Sequence, residues 1–444
     1  MSSSGVSGQT VPTRRYDHAI SSEFPSNNRK YLIDGSISNR YMRDYMPINA
    51  NIANGSVNEA YLEFSIPGSE QEFLDLSSLS IELGIKIVTT AGNDVPNDAD
   101  ITLVDGFGHR ILQKCSVFLN SVPVESNSYF GLWNSLCTYL SMSKSDLPGE
   151  GRAMYYKDMT ESIVRDYTAA AFNDEDKCYS SILADIRDEV NCTVPLNLNI
   201  SHADFFLLNG VDMRIRIELA SPACVINAVA GSNYQYRVDS ARLWAQKITP
   251  APSALLSLNR HLTNDAQTIE YIFPKPVIKT YVFPQTTSSL CLDNIFQGVI
   301  PQQMYVCMMR QDVLNGSINL NGAYMEHCGI SSIRLEVDGH TVSYLQGRFT
   351  GRVTQFYTHL MNNVKSKENL LSYSTFKEGR TLFCWDLRDS TSNDIISIEK
   401  RGNLRLSINT GAALTGNVTV FVMGVVTGVV DINATRSVQT NYLL

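Results

Sequence analysis

The chain has 444 residues, 43% of them hydrophobic and 18% charged, a balance that belongs to globular protein and excludes disorder over most of its length. That length exceeds what one ordinary core supports, so two or three domains are expected. A net charge of −8 excludes a body that binds duplex DNA or anionic membranes electrostatically, because such binding needs dense positive charge.

Residues 1–45 read as a flexible N-terminal arm. They are polar and lack sustained periodicity, and six basic residues against four acidic ones leave the arm at +2 and the remainder at −10. Residues 1–12 are rich in Ser and Gly, so no secretory signal is expected, and no run of 18 apolar residues predicts a membrane-spanning helix.

From residue 60 onward strands predominate, in keeping with 21 Tyr and 17 Phe. YLEFSIP (61–67) alternates. In LSIELGIKIV (79–88), Ile81, Leu83, Ile85 and Ile87 alternate with Glu82, Gly84 and Lys86, the pattern of a half-buried strand. CSVFLNSVPVES (115–126) predicts a hairpin turning at Asn120-Ser121. GLWNSLCTYLSM (131–142) has the spacing of a short helix, and residues 153–172, with Met154, Met159, Ile163 and Tyr167, predict a second. Strands return at 193–200, 211–220 and 236–248. Pro250, Pro252, Pro274 and Pro276 then mark a link, which places a domain boundary near 250–275.

The second half repeats the first in outline. MYVCMM (304–309) reads as a core strand covered on both sides. IRLEVDGHTVSYL (333–345) is a hairpin with Asp338-Gly339 at its turn, followed by a short helix at 353–364. TLFCWDL (381–387), GNLRLSIN (402–409) and VTVFVMGVVTGVVDI (418–432) match the strands at 193–200, 211–220 and 236–248. The offset from Asn120 to Asp338 is 218, from Leu198 to Leu387 it is 189, and from Arg214 to Arg405 it is 191. The drop falls in one place, where the first copy carries extra residues at 153–180. An ordered series of matches with one local insertion points to two copies of one β domain. Each copy spans roughly 175–200 residues with about eight strands, which suits a jelly roll better than a small immunoglobulin-type sandwich. The predicted fold class is therefore all-β: two tandem jelly-roll sandwiches, 46–255 and 256–435, with short helices in the inter-strand loops, the arm before them and a tail at 436–444. The excursions at 141–192 and 340–380 are the segments expected to form towers or contacts between subunits.

Several stretches resemble a known family. YLEFSIPGSEQEFLDLSSLSIELGIKI (61–87), SVFLNSVPVES (116–126), DFFLLNGVDMRIRIELA (204–220), DNIFQGVIPQQMYVCMMRQDVLNGSINLN (293–321), GISSIRLEVDGHTV (329–342) and GNLRLSINTGAALTGNVTVFVMG (402–424) are similar to the double jelly-roll major capsid proteins of Polinton/Maverick elements and adintoviruses. The segment at 204–220 is the most specific match, and the resemblance covers about residues 60–435. One stretch departs: NGAYMEHC (321–328) stands where relatives carry a Pro-Phe-Asn-Phe-like sequence. The resemblance implies a structural subunit of a double-stranded DNA virus or virus-like element. It would form homotrimers of pseudo-hexagonal outline, contact neighbouring capsomers and penton and minor capsid proteins, be assembled inside the host cell and reside in the virion. Three chains with two similar domains each supply six similar lobes about a threefold axis. A single jelly-roll penton, a domesticated copy in a cellular genome and a carbohydrate-binding sandwich are the alternatives.

The motifs give no case for an enzyme and no catalytic, cofactor or metal site. GxSxG, P-loop and HExxH motifs are missing. The nine cysteines contain no CxxC pair and read as buried reduced thiols, and no Cys/His set has zinc-ligand spacing. The seven histidines are scattered and read as packing or surface residues. Asp212 and Arg214 could be imagined as a catalytic pair, but they read better as one strand face after an Asn209-Gly210 turn. Arg14, Arg15, Arg29 and Lys30 leave an inner membrane or packaged DNA open as partners of the arm, although its first reading is a solvated segment that orders against neighbouring subunits.

Overall fold

The computed structural model describes residues 37–49, 61–96, 99–157, 163–168, 185–264, 268–349, 351, 353–364, 368–388 and 400–441. The first eight principal strands are β1 (Ile37–Tyr45), β2 (Tyr61–Ile66), β3 (Phe73–Thr89), β4 (Leu112–Leu119), β5 (Val122–Asn127), β6 (Val190–Pro195), β7 (Met213–Leu219) and β8 (Tyr234–Pro250). They form two sheets in the orders β1-β8-β3-β6 and β2-β7-β4-β5. The next eight are β9 (Ile269–Phe283), β10 (Ser289–Leu292), β11 (Gln303–Arg310), β12 (Ile330–Val337), β13 (His340–Gln346), β14 (Leu382–Asp386), β15 (Leu404–Thr410) and β16 (Val418–Ile432). Their sheets run β9-β16-β11-β14 and β10-β15-β12-β13. Each strand of the first set occupies the place of the strand eight later in the second. The protein is a double jelly roll, all ladders antiparallel.

The duplication extends to single residues. Both hairpins turn through residues with positive φ, Asn120 (46°) and Ser121 (69°) in one, Asp338 (49°) and Gly339 (80°) in the other. A type I′ turn requires such angles, and its twist matches that of the flanking strands. Each hairpin then shifts register at the same place, between Val117 and Phe118 and between Leu335 and Glu336. These positions share the offset of 218 that relates the turns.

Alternation builds the cores. Ile81, Leu83, Ile85 and Ile87 of β3 are buried while Glu82 and Lys86 of the same strand are not. In β11, Met304, Val306, Cys307, Met308 and Met309 are all buried, because β11 lies mid-sheet with the sandwich core on one side and cross-domain packing on the other.

Four features differ from the sequence reading. Residues 37–45, read as the end of the arm, form edge strand β1, paired with β8 from Ile37–Pro250 to Tyr45–Leu243. Only Tyr45 of that strand is buried, so backbone pairing holds β1 and no apolar alternation announces it. The tail contributes a short strand, β17 (Val438–Asn441), on the free side of β16. Pro274 and Pro276 lie within β9, where an edge strand tolerates the missing N–H; the link itself folds as helix α2 (Pro252–Asn264). Within the predicted helix 153–172, residues 163–168 are extended, while 158–162 and 169–172 lie outside the described residues. Ile163 and Tyr167 are buried four apart, as in a helix, but their N–H groups bond to Glu378 and Asn319 of the second sandwich. Tertiary pairing supersedes the local pattern there.

Candidate functional site: the seam between the sandwiches

The two cores interpenetrate. Helix α1 (Phe130–Ser141) follows β5 in the first sandwich, yet Leu132, Leu136, Tyr139 and Leu140 pack into the second core. Trp133 meets Tyr305 edge-on with ring centres 5.7 Å apart, and Tyr129 meets Phe421 at 5.1 Å. Conversely, Ile269, Tyr271 and Phe273 of β9 and Val430 and Ile432 of β16 belong to the first core.

Polar groups lock this seam at three points. Asp105 and Arg380 form an ion pair with side chains only 1% and 2% exposed. Tyr139 donates to the same carboxylate oxygen, Oδ2, at 2.8 Å, the Lys157 N–H donates to Oδ1 at 2.7 Å, and the Arg380 guanidinium lies over the Tyr139 ring at 4.2 Å. Burial opposes the charge on Arg380, but Asp105 and Tyr139 outweigh it and hold its pKa above the ordinary arginine value. At the second point, the Tyr271 hydroxyl donates to the Phe206 carbonyl and accepts from the Leu208 N–H, both at 3.0 Å. Arg436 donates to Asn209 O and Oδ1 at 2.7 Å, while Asn120 Nδ2 donates to the Arg436 carbonyl at 2.7 Å. At the third, Glu125 of β5 is buried near Lys275 of β9. Burial pushes its carboxyl up to about 8, against the lowering effects of the Asn199 and Ile200 N–H groups and Lys275.

The residues considered for catalysis are not assembled. Asp212 Oδ1 accepts from the Gly68 N–H at 2.7 Å and orders a loop after the Asn209-Gly210 turn, while Arg214 pairs with Glu63 at 3.5 Å and stacks on Phe118. His109 is buried, with Nδ1 2.9 Å from the Tyr156 hydroxyl, and burial lowers its pKa to about 4. His327 stacks on Phe349. Cys115, Cys192, Cys307 and Cys384 are buried and Cys291 is exposed. Among the described residues no group of three or more His, Cys, Asp and Glu could hold a metal ion, and no helix is long and apolar enough to cross a membrane. Residue-by-residue reading could not find the seam, because Asp105 and Arg380 stand 275 positions apart in ordinary loop contexts.

The seam elements and their counterparts elsewhere in the duplication are unequally exposed. Val124 of β5 is 2% exposed, whereas Val342, its counterpart on β13 at the same register, is 51% exposed beside Tyr344 at 49%. The outer face of the β9-β16-β11-β14 sheet lies under α1. The matching face of the first sandwich carries Ser80, Glu82, Arg242, Trp244 and Gln246, none of them buried, with Trp244 Nε1 donating to Glu82 at 2.8 Å. Helix α3 (Thr354–Asn363), the counterpart of α1, turns Thr354, Gln355, Thr358 and Asn362 to solvent.

No protein-family description and no curated protein matches the sequence. Solved structures do match along nearly the whole length. A chain of the Sputnik virophage, from its cryo-EM structure, aligns with a TM-score of 0.59 at 12% identity, over 94% of this chain and 91% of that one. The mavirus major capsid protein aligns at 0.55 and 12% identity, over 100% and 97%. The faustovirus major capsid protein aligns at 0.60 and 9% identity, over 90% and 92%. At such identities the likeness is one of fold: this chain shares the double jelly roll of these viral proteins.

Proposed function

We propose that the chain is a major capsid protein, a non-enzymatic subunit that trimerises and tiles an icosahedral shell around a double-stranded DNA genome. The observation that carries this reading is the inequality of Val124 and Val342. Within the chain, the β5 edge and α1 of the first sandwich pack against β9 and its sheet in the second. Among the described residues, the second sandwich presents the equivalent elements, β13 and α3, packed on their own sandwich, with Val342, Tyr344 and one face of α3 exposed. The first presents β1 and the open face around Trp244, the equivalents of β9 and its sheet. Repeating the internal seam between copies joins second sandwich to first sandwich head to tail, and closure after three chains gives a ring of six lobes. The internal seam forms once, during folding, and combines apolar packing with buried polar locks such as Asp105–Arg380. The inter-chain surfaces are more polar, as suits a subunit that folds in water before it assembles.

On this reading the first lobe begins at residue 37, the second follows α2, and the virion is the place of residence. The stretches similar to Polinton/Maverick and adintovirus capsid proteins supply the proposed lineage. The proposed partners are further capsomers and penton and minor capsid proteins, with an inner membrane or packaged DNA as partners of residues 1–36. Two complete sandwiches disfavour a single jelly-roll penton. Native mass measurement on the purified protein tests the reading. The chain weighs 49.4 kDa, so a trimer gives about 148 kDa and shells far more. A species that stays at monomer mass at every concentration and salt would overturn it.

A further inference from the structure

A short ladder outside the principal sheets pairs Ile101–Leu103 with Ile226–Ala228 and sets Thr102 directly opposite Asn227. Residues paired in this way carry their side chains on the same face, with Cβ atoms about 5 Å apart. Ile101, Leu103, Ile226 and Ala228 turn into the core of the first sandwich, which leaves Thr102 and Asn227 together on the other face. That face is covered too, since Thr102 and Asn227 are both buried. Lys157, also buried, extends to this pair, and its Nζ donates to Thr102 Oγ1 at 3.1 Å. Its backbone is fixed there, because its N–H donates to Asp105 Oδ1 at 2.7 Å. Both Oδ1 and Nδ2 of Asn227 are shut off from solvent and have no hydrogen-bond partner among the described residues. A buried side-chain amide that forgoes both its acceptor and its donor bonds is costly and rare in native proteins, and calls for an explanation.

We propose that Lys157 and Asn227 join in an intramolecular isopeptide bond. The neutral amine of Lys157 adds through Nζ to Cγ of Asn227. The Nζ–Cγ bond forms, the Cγ–Nδ2 bond breaks, and Nδ2 leaves as ammonia. Thr102 bridges the two groups: its Oγ1 takes a proton from Nζ and passes its own hydroxyl proton to Nδ2. One amide replaces another, so neither an oxidant nor a reductant is needed. Exclusion of water suits an uncharged amine nucleophile and suppresses competing hydrolysis. The secondary amide formed has fewer polar hydrogens to satisfy than the amine and primary amide it replaces. The bond staples the residue whose N–H braces the Asp105 carboxylate to a distant ladder of the first sandwich. This inference is independent of the shell-building role.

Mass spectrometry of the full-length protein, denatured after purification, tests the bond. The intact mass is expected to fall short of the sequence mass by one ammonia. Trypsin no longer cuts after Lys157, and a branched peptide carries the segments around Lys157 and Asn227. Fragmentation of that peptide places the link on these two residues and separates it from ammonia lost elsewhere in the chain. Lys157→Met and Asn227→Ala each match their own sequence masses and melt below the wild type, because a link between distant positions restricts the unfolded chain. Asn227→Asp reaches the same product with loss of water, so its mass equals that of the wild type. Thr102→Val leaves a larger unlinked fraction. A wild-type mass equal to that of the sequence, with Lys157 and Asn227 recovered in separate unmodified peptides, would overturn the proposal and leave the three residues as a non-covalent cluster.

Discussion

Asp105 and Arg380 face each other across the seam, one from each sandwich, and their ion pair is almost wholly removed from water. Removing one partner strands the other charge in a dry site, which costs about 3–5 kcal/mol, whereas replacing both with apolar residues of similar volume is much milder. Arg380→Met alone is therefore expected to lower the urea midpoint strongly, as is Asp105→Leu alone. The double variant should recover most of the loss, and a double-mutant cycle measures this coupling. Equal losses in single and double variants would mean that the pair does not act as a unit.

Glu125 makes the seam sensitive to pH. Its folded pKa is raised to about 8 by burial, above the usual carboxylate range. Between the unfolded and folded pKa values the folded protein holds one more proton than the unfolded chain. Stability from this site is fully present below about pH 4.5 and declines by up to about 1.4 kcal/mol per pH unit as pH rises toward 8. Glu125→Gln should flatten the stability profile between pH 5 and 8 and stabilise the protein most at the alkaline end. An unchanged slope in chemical unfolding across that window would contradict the assignment.

The exposed edge of β13 is the surface predicted to meet the next copy. Val342→Lys combined with Tyr344→Lys is expected to cut trimer formation at least about tenfold while changing monomer stability by no more than about 0.5 kcal/mol per site, as exposed positions do. At the equivalent buried position Val124→Lys should instead impair folding. Native mass and denaturant midpoints, read side by side, separate the two effects.

The N-terminal boundary gives a fourth test. Strand β1 begins at Ile37, inside the segment that reads from sequence as an arm. Deleting 1–36 should preserve the melting temperature and impair shell assembly. Deleting 1–45 removes β1, bares the β8 edge and should lower stability and promote aggregation. Normal shells from the shorter deletion would remove any role for that segment in assembly.

The sequence by itself determined the architecture, because alternation in strands such as β3, the turn chemistry of Asn120-Ser121 and Asp338-Gly339, and the constant offset between the hairpins are local properties that short-range sterics and burial impose. It also disclosed the duplication, since matching elements recur in order. Only the tertiary structure decided what depends on distant partners: that residues 37–45 pair with β8, that the stretch around Ile163 and Tyr167 is extended, and that α1 serves the core of the other sandwich. The Asp105–Arg380 pair and the raised carboxyl of Glu125 belong to the same group. A charged residue's neighbours, and hence its energy, are set by which surfaces meet after folding, and one-dimensional spacing carries no record of that meeting.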